Sequence, residues 1–324
     1  PRDRPLWHLT VVEGLERGQV AFVMKLHHAL ADGVAAESML ERAFARDRPV
    51  DPAPQAPPPP APPGRDLRRH GLRVRMRRLA GLPSLTRRSV RGLRAARRWR
   101  AEQADQPTAM FSGPRTALNA SLTPTRTFAM TTVSMADIAS IRTRHGVTVN
   151  DVLLAACGGA LRRHLGTPAE RRGLVAGVPI GTMGDGRLSG NRLDHMATAL
   201  RTDLRDPVER LLAVSKSAAV ARRAREALGS DLFEDRADLT PPLLYPLAIR
   251  LWAGTHLANR VRPPLNLIVS NVPGPRVPLT MDGGVVTELW SVGPILEGIG
   301  LNITAWSYDG DLYVSVLGCP RTLP

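Results

Sequence analysis

Three features of these 324 residues predict a mixed-sheet α/β fold. Several short segments alternate apolar and polar residues with period two, as strands do. Others repeat apolar residues at i, i+3, i+4 and i+7, as amphipathic helices do. The two kinds of segment follow one another irregularly, which argues against a strictly doubly wound parallel sheet. Apolar residues make up 43% of the chain and aromatics only 4%, so Leu, Val, Ala and Ile must fill the core. The length supports two domains or one large one, and there is no internal repeat.

Trp7 to Val12 and Gly18 to His28 read as strands joined by a turn at Glu13-Gly14 and Arg17-Gly18, a hairpin. Val20, Phe22, Met24, Leu26 and His28 share one face of the second strand. Asp32 stands where a helix N-cap belongs, and Ala36, Met39, Leu40, Ala43 and Phe44 give the following helix its apolar stripe. Residues 50–64, "VDPAPQAPPPPAPPG", read as an extended polyproline linker. Arg65 to Arg100 shows helical periodicity, interrupted at Gly81-Leu82-Pro83, and residues 102–114 read as loop. Phe128 to Val133 reads as a strand and Met135 to His145 as a helix. Thr148 precedes a longer helix whose expected buried stripe is Val149, Val152, Leu153, Ala156 and Ala160. Leu174 to Ile180 and Met196 to Leu200 read as strands. Pro207 to Leu228 reads as a helix with Val208, Leu211, Leu212 and Val214 turned inward. Strands at Leu265 to Ser270, Gly284 to Glu288, Leu301 to Ser307 and Leu312 to Val316 complete the chain. The first strand has no partner upstream and the chain starts at Pro1, so an N-terminal truncation is expected.

The formal net charge is +15, and Lys25 and Lys216 are the only lysines, so arginine carries the excess. Such a chain favours anionic partners: nucleic acid, phospholipid or a phosphorylated cofactor. The two cysteines, Cys157 and Cys319, build neither a disulfide framework nor a zinc ribbon, and a reducing cytoplasm suits them. No apolar run approaches the roughly 18 residues needed to span a bilayer.

The chemistry gathers at "KLHHALADG", Lys25 to Gly33. His27 and His28 are adjacent, so in a strand they point to opposite faces and cannot clasp one metal ion. The other six histidines show no ligand spacing. There is no G-x-S-x-G elbow and no Walker A lysine. "GDGRLSG" at 184–190 departs from a dinucleotide fingerprint by one position. General base chemistry remains. At the end of a buried strand a histidine has a dry wall on one side and stays neutral, fit to take a proton from an alcohol. Asp32 would fix the turn that aims His28, and Gly33 would let backbone pass closely. A plain strand end is the competing account.

H-H-x-x-x-D-G resembles the signature of the CoA-dependent acyltransferase superfamily. Further landmarks follow in order: "RPLW" at 4–7, "TVNDVLLAACGGALRRHL" at 148–165, "SGN" at 189–191, "SNVPGP" at 270–275 and "LNITAWSYDGDLYV" at 301–314. As a set they resemble the bacterial wax ester synthase/diacylglycerol acyltransferase family, over essentially the whole chain.

The resemblance implies a two-domain, chloramphenicol-acetyltransferase-like fold with its active site at the domain interface. Residues 1–47 would be the remainder of the N-terminal domain, 48–106 a linker with a helical segment, and 107–324 the C-terminal domain. It implies that His28 is the general base for a fatty alcohol or diacylglycerol, whose oxygen attacks acyl-CoA without an acyl-enzyme. His27, Asp32 and Gly33 are then structural. The family's Asn-Asp pair falls on Asn150-Asp151: Asn150 as oxyanion stabiliser, Asp151 as support, with helix capping the alternative for both. Gly158-Gly159 in mid-helix serves close packing or a tunnel wall. No bound cofactor and no metal are implied; acyl-CoA is a substrate. The chain departs from the family in "VPIGTMGDG" at 178–186, where the family carries Ser and Arg.

Other acceptors or a carrier-bound thioester are alternatives within the superfamily. A noncatalytic basic protein binding membrane or nucleic acid is the alternative outside it. No nucleic-acid reading element or stacking platform is evident, so nucleic acid is not expected as a partner. Fourteen arginines lie between Arg65 and Arg100, interleaved with Leu72, Met76, Leu79, Leu82, Leu85, Val90, Leu93 and Trp99. This segment is expected to hold the protein on an anionic membrane or lipid droplet at the cytoplasmic side, or else to be a solvated helix.

Overall fold

A computed structural model describes residues 4–44, 63–102, 104–165, 167, 173–180, 194–228, 244–275, 278–281 and 283–323. The proline-rich stretch at 45–62, "GDGRLSG" and "SGN" lie outside the described residues. The fold is mixed α/β, with sheets flanked by helices.

Six strands form the main sheet: β3 (Thr127–Ser134), β4 (Val175–Ile180), β5 (Asp194–Ala199), β6 (Leu267–Val272), β9 (Leu301–Tyr308) and β10 (Asp311–Gly318). Their order is β3-β10-β9-β6-β4-β5. β6 runs parallel to both β4 and β9, and the other pairs are antiparallel. Asp309 and Gly310 turn the β9–β10 hairpin with φ 44° and 85°, the left-handed pair that a two-residue hairpin loop requires. Pairing of β4 with β6 stops at Gly177↔Ile268, although the strands continue to Ile180 and Val272. The sheet is therefore unzipped at the carboxyl ends of these two strands.

One face of the sheet is covered by α3 (Met135–His145), α4 (Val149–His164) and α5 (Pro207–Leu228). Leu154, Leu161, Val214, Leu267, Val269 and Leu301 meet there in one apolar cluster. Burial of such side chains contributes about 1.5–3 kcal/mol each. Ser134 caps α3 by accepting from Ala136 N, and Gly146, at φ 66°, ends it. The buried residues of α4 are Asp151, Leu153, Leu154, Ala155, Cys157, Gly158, Gly159 and Leu161, whereas Ala156 and Ala160 are exposed, against the stripe expected for them. Val208 and Leu212 of α5 also face solvent; Leu211 and Val214 are buried. Gly158 and Gly159 serve packing. A Cβ on Gly158 would lie 2.4 Å from the Leu200 carbonyl oxygen, and one on Gly159 would lie 2.7 Å from the Arg210 guanidinium. Arg210 is buried there and donates to the carbonyls of Ala155, Leu204 and Arg205.

β1 (Trp7–Val12) and β2 (Ala21–Leu26) form the expected antiparallel hairpin, with a short 3-10 turn at Glu16–Gly18. β2 ends at Leu26, two residues before His28, and Phe22, Val23 and Met24 are exposed. The expectation of a buried strand running into His28 is corrected on both counts. α1 (Gly33–Phe44) follows. α2 (Gly64–Glu102) is one 39-residue helix that continues through Pro83 rather than breaking there. The hydroxyls of Ser84 and Thr86 bond back to the carbonyls of Gly81 and Leu82 beside the proline. α2 packs on α5 through its carboxyl half, where Ser89, Gly92, Ala96 and Trp99 are half-buried at helical spacing. α6 (Leu244–Gly254) was not expected from the sequence. β7 (Thr280–Met281) and β8 (Gly284–Val285) form a two-residue ladder, shorter than the strand expected at 284–288. No helix among the described residues is long and apolar enough to cross a membrane.

Candidate active site

The histidine pair sits on a tight turn between β2 and α1. His27 N donates to the Leu6 carbonyl (2.7 Å), and Leu30 N donates to the His27 carbonyl (2.8 Å). The His27 side chain is spent on the same turn, its Nδ1 accepting from Ala29 N at 3.2 Å. Accepting there requires a lone pair on Nδ1, so that atom of the ring is engaged within the turn. Asp32 is buried, and its Oδ1 accepts from Ala35 N at 3.0 Å, the side-chain cap of α1. His28 lies between them, half-buried. Its Nδ1 is shut from solvent and has no hydrogen-bond partner among the described residues. Neighbouring groups thus fix the backbone on both sides of an imidazole that has no committed protein partner at that atom.

The turn is seated on the main sheet. A Cβ on Gly33 would come 3.0 Å from Val272 Cγ2, at the end of β6. At its other end α1 carries Phe44 against the buried cluster of Leu279, Tyr308 and Tyr313. Gln19 of the hairpin loop reaches Thr287, Nε2 donating to Oγ1 at 3.4 Å. Sequence reasoning missed Val272 as the seat of the turn; the only signal was "SNVPGP", noted as a landmark.

Asn150 and Asp151 lie in the first turn of α4. Asp151 is 1% exposed and completes a capping box with Thr148: its Oδ2 accepts from Thr148 N (2.9 Å), while Thr148 Oγ1 accepts from Asp151 N (3.2 Å). The same Oδ2 accepts from Ser215 Oγ of α5 at 3.0 Å, and Arg222 approaches Oδ1 to 3.8 Å. Asp151 therefore ties α4 to α5. Asn150 is half-buried, and its side chain makes no hydrogen bond among the described residues. Gly158 abuts Leu200, whose N–H donates to Leu174, just before β4 begins. Asn150 lies eight residues earlier, about 12 Å along the helix axis. Gly33 is seated at the carboxyl end of β6. No hydrogen bond joins Asn150 or Asp151 to His27 or His28.

Among the described residues, no group of three His, Cys, Asp or Glu side chains is placed to hold a metal ion. Burial pushes the Cys157 thiol up to about 12, against a smaller opposing effect of a backbone hydrogen bond, so it is no nucleophile.

Two family models match the chain: the wax ester synthase/diacylglycerol acyltransferase catalytic domain over residues 1–153, and the C-terminal domain of the same family over residues 189–324. A Mycobacterium tuberculosis (strain H37Rv) protein, Rv0221, provisionally named a diacylglycerol O-acyltransferase, is 38% identical over 98% of this chain and 67% of its own length. The solved wax ester synthase/diacylglycerol acyltransferase from Marinobacter aquaeolei VT8 superposes with TM-score 0.64 at 26% identity, over all of this chain and 68% of that one. The first condensation domain of the CDA synthetase shares the fold, with TM-score 0.50 at 19% identity over 99% of this chain and 63% of that one.

Proposed function

Because this chain belongs to the wax ester synthase/diacylglycerol acyltransferase family, and is an acyltransferase, we propose that it moves a long-chain acyl group from acyl-CoA to a lipid hydroxyl. The acceptor is diacylglycerol or a fatty alcohol, and the product triacylglycerol or wax ester. His28 takes the hydroxyl proton as the oxygen attacks the thioester carbonyl. The tetrahedral intermediate collapses with loss of the CoA thiolate, which recovers the proton from His28. No acyl-enzyme forms. Asn150 or the free N–H groups beside it hold the developing oxyanion. His27, Asp32 and Gly33 position the turn, and Asp151 positions α4.

The observation that carries this reading is the His28 imidazole on a turn fastened at His27 and Asp32, with Nδ1 unpartnered. Buried polar atoms are seldom left so, and a catalytic role is one of the few reasons. The unzipped ends of β4 and β6 add support, since ligands of open α/β sheets bind outside the carboxyl ends of strands.

The test is release of CoA from a long-chain acyl-CoA, with hexadecanol and with diacylglycerol as acceptors. His28→Ala should lower turnover by about 10²–10⁴ without changing the circular dichroism spectrum. A folded His28→Ala protein of near-normal rate removes His28 as the base.

The amino half of α2 gives the proposed surface association a form. Leu72, Met76, Leu79 and Leu82 are 41–60% exposed. At 100° per residue they fall within an arc about 120° wide that also holds Arg65, Arg68 and Arg75, with Arg69, Arg73 and Arg77 along one side of it. Such a helix lies in a membrane interface with apolar side chains in lipid and guanidinium groups at the phosphates. We place it on an anionic membrane or lipid droplet, at the cytoplasmic side, where acceptor and product dissolve. In sedimentation with vesicles, binding should need anionic lipid, weaken with salt and fall when Arg69, Arg73 and Arg77 become Gln. Equal binding to neutral vesicles would contradict an electrostatic dock.

A further inference from the structure

The face of the main sheet turned away from α3, α4 and α5 holds two buried polar atoms that nothing answers. In β9, Ile303 and Ala305 point into the helix-covered cluster, so Asn302, Thr304, Trp306 and Tyr308 point the other way. In β10, Leu312 and Val314 do the same and leave Tyr313 and Ser315 on the far face. Four buried polar side chains there are tied to residues 286–295, a strap without regular structure. The Tyr308 hydroxyl donates to the Val286 carbonyl (2.8 Å), the Tyr313 hydroxyl to that of Thr287 (3.1 Å) and Asn302 Nδ2 to that of Pro294 (2.8 Å). Thr304 Oγ1 accepts from Gly293 N (3.2 Å). Trp306 and Ser315 differ. They are 3% and 1% exposed, yet Trp306 Nε1 and Ser315 Oγ have no hydrogen-bond partner among the described residues. The half-buried Trp252 and Trp290 both find acceptors, the Glu297 carbonyl and the Glu288 carboxylate. An indole without one, deeper in the fold, departs from the rule that buried donors are paired.

Their place relative to the histidine turn gives the reason. Val272, Trp306 and Tyr313 are paired in register across β6, β9 and β10, and Ser315 lies one row on, opposite Thr304. Val272 is the seat of Gly33, and α1 ends with Phe44 against the cluster that contains Tyr313. The helix that follows the turn thus starts against one cross-strand neighbour of Trp306 and ends against the other. Adjacent strands are about 5 Å apart, so the two orphan atoms step away from the seat of the turn, Trp306 one strand off and Ser315 two. An indole N–H only donates, and a serine hydroxyl donates as well as accepts. The ligand that answers both carries, besides the hydroxyl offered to His28, acceptor oxygens set back from it. An ester of a polyol has that layout. A fatty alcohol has only its hydroxyl.

We propose that Trp306, with Ser315 behind it, is a specificity residue of the His28 site. Its Nε1–H donates to an ester carbonyl of the acyl acceptor, so the protein reads the carbonyl beside the hydroxyl as well as the hydroxyl itself. For the nature of the substrate this rests on the acyl-transfer reading above. The carbonyl enters beneath the strap, which is tied to the sheet by side chains and shares no ladder with it among the described residues. An acceptor without that carbonyl leaves a buried donor unpaired, which is strong ground for rejecting a close analogue.

The test compares diacylglycerol with the dialkylglycerol ether of equal chain length, which keeps the hydroxyl and loses both carbonyls. Wild-type kcat/KM should favour the ester by about tenfold or more. Trp306→Phe, which keeps an aromatic ring and removes the N–H, should collapse that ratio to near one. Ser315→Ala should lower it by a smaller factor. Trp290→Phe, whose N–H is spent on Glu288, should keep the wild-type ratio. A wild-type ratio near one overturns the proposal. So does a Trp306→Phe protein that loses both activities in equal measure, as a merely structural tryptophan would. A readout without turnover separates this proposal from the His28 assignment. In heteronuclear NMR of His28→Ala protein, the indole resonance that Trp306→Phe lacks should move downfield with micelles of the ester and stay in place with the ether. No shift with either lipid overturns the carbonyl contact, whatever His28 does. A shift in a His28→Ala protein of normal turnover would remove the base and leave Trp306 standing. Should Trp306→Phe melt early, the wild-type ratio and Ser315→Ala decide the matter.

Discussion

The hairpin β1–β2 and β9 of the main sheet show the same alternation of apolar residues, yet the burial of hairpin and sheet differs. In β6 and β9, Leu267, Val269 and Leu301 are at most 1% exposed, pressed under α4 and α5. In the hairpin, Leu9, Val11, Phe22 and Met24 are 39–50% exposed. Alternation records that a strand has two faces; it does not say what covers either one. The difference matters because the histidine turn grows out of the uncovered hairpin. Its rigidity comes from elsewhere: its own hydrogen bonds, the cap at Asp32, and the seat on Val272.

The largest effect expected from this contrast is in stability. Leu267→Ala should cost about 2–5 kcal/mol in denaturant unfolding, as buried leucines do. Phe22→Ser should change it by no more than about 0.5 kcal/mol, as surface substitutions do. Comparable losses at the two positions would mean that the hairpin has a cover. Asp151→Ala should come next, costing about 1–3 kcal/mol, since it removes a helix cap and strands Ser215 and Arg222. Acyl transfer should fall in step with the loss of folded protein. Were activity lost at full stability, the carboxylate would be working in the reaction rather than in the packing. The smallest and most local effect belongs to Gly33→Ala. The new Cβ must push Val272 by a few tenths of an ångström, which should slow turnover up to about tenfold through misplacement of the turn. Melting should stay within about 2 °C of wild type. An unchanged rate would mean that the seat on β6 does not set the position of His28.

Much of the fold was legible where local chemistry decides it. Met135–His145 and Pro207–Leu228 fall where the sequence places them, the first bounded by a serine cap and a left-handed glycine. The stripe on α4 was misjudged because that helix is buried around most of its girth, so Leu154 and Cys157 are covered as fully as Leu153. Periodicity has little to report on such a helix. α2 passing through Pro83 was not legible either, because one missing N–H is outweighed by the rest of a long helix packed on α5. At the site, the residues of the turn were readable from their order along the chain. Their seat was not, because Gly33 and Val272 are brought together only by tertiary packing.

One consequence of the short β4–β6 ladder concerns how the molecule comes apart. Its paired positions, Ala176↔Leu267 and Gly177↔Ile268, are fewer than those at any other junction of the sheet. A sheet joined so briefly along one seam has a line of easy opening. β4 and β5, carried by α5, can breathe against β6, β9 and β10 while both sides keep their own ladders. In native-state hydrogen exchange, amides bordering that seam should open ahead of those between β9 and β10, as a separate cooperative unit.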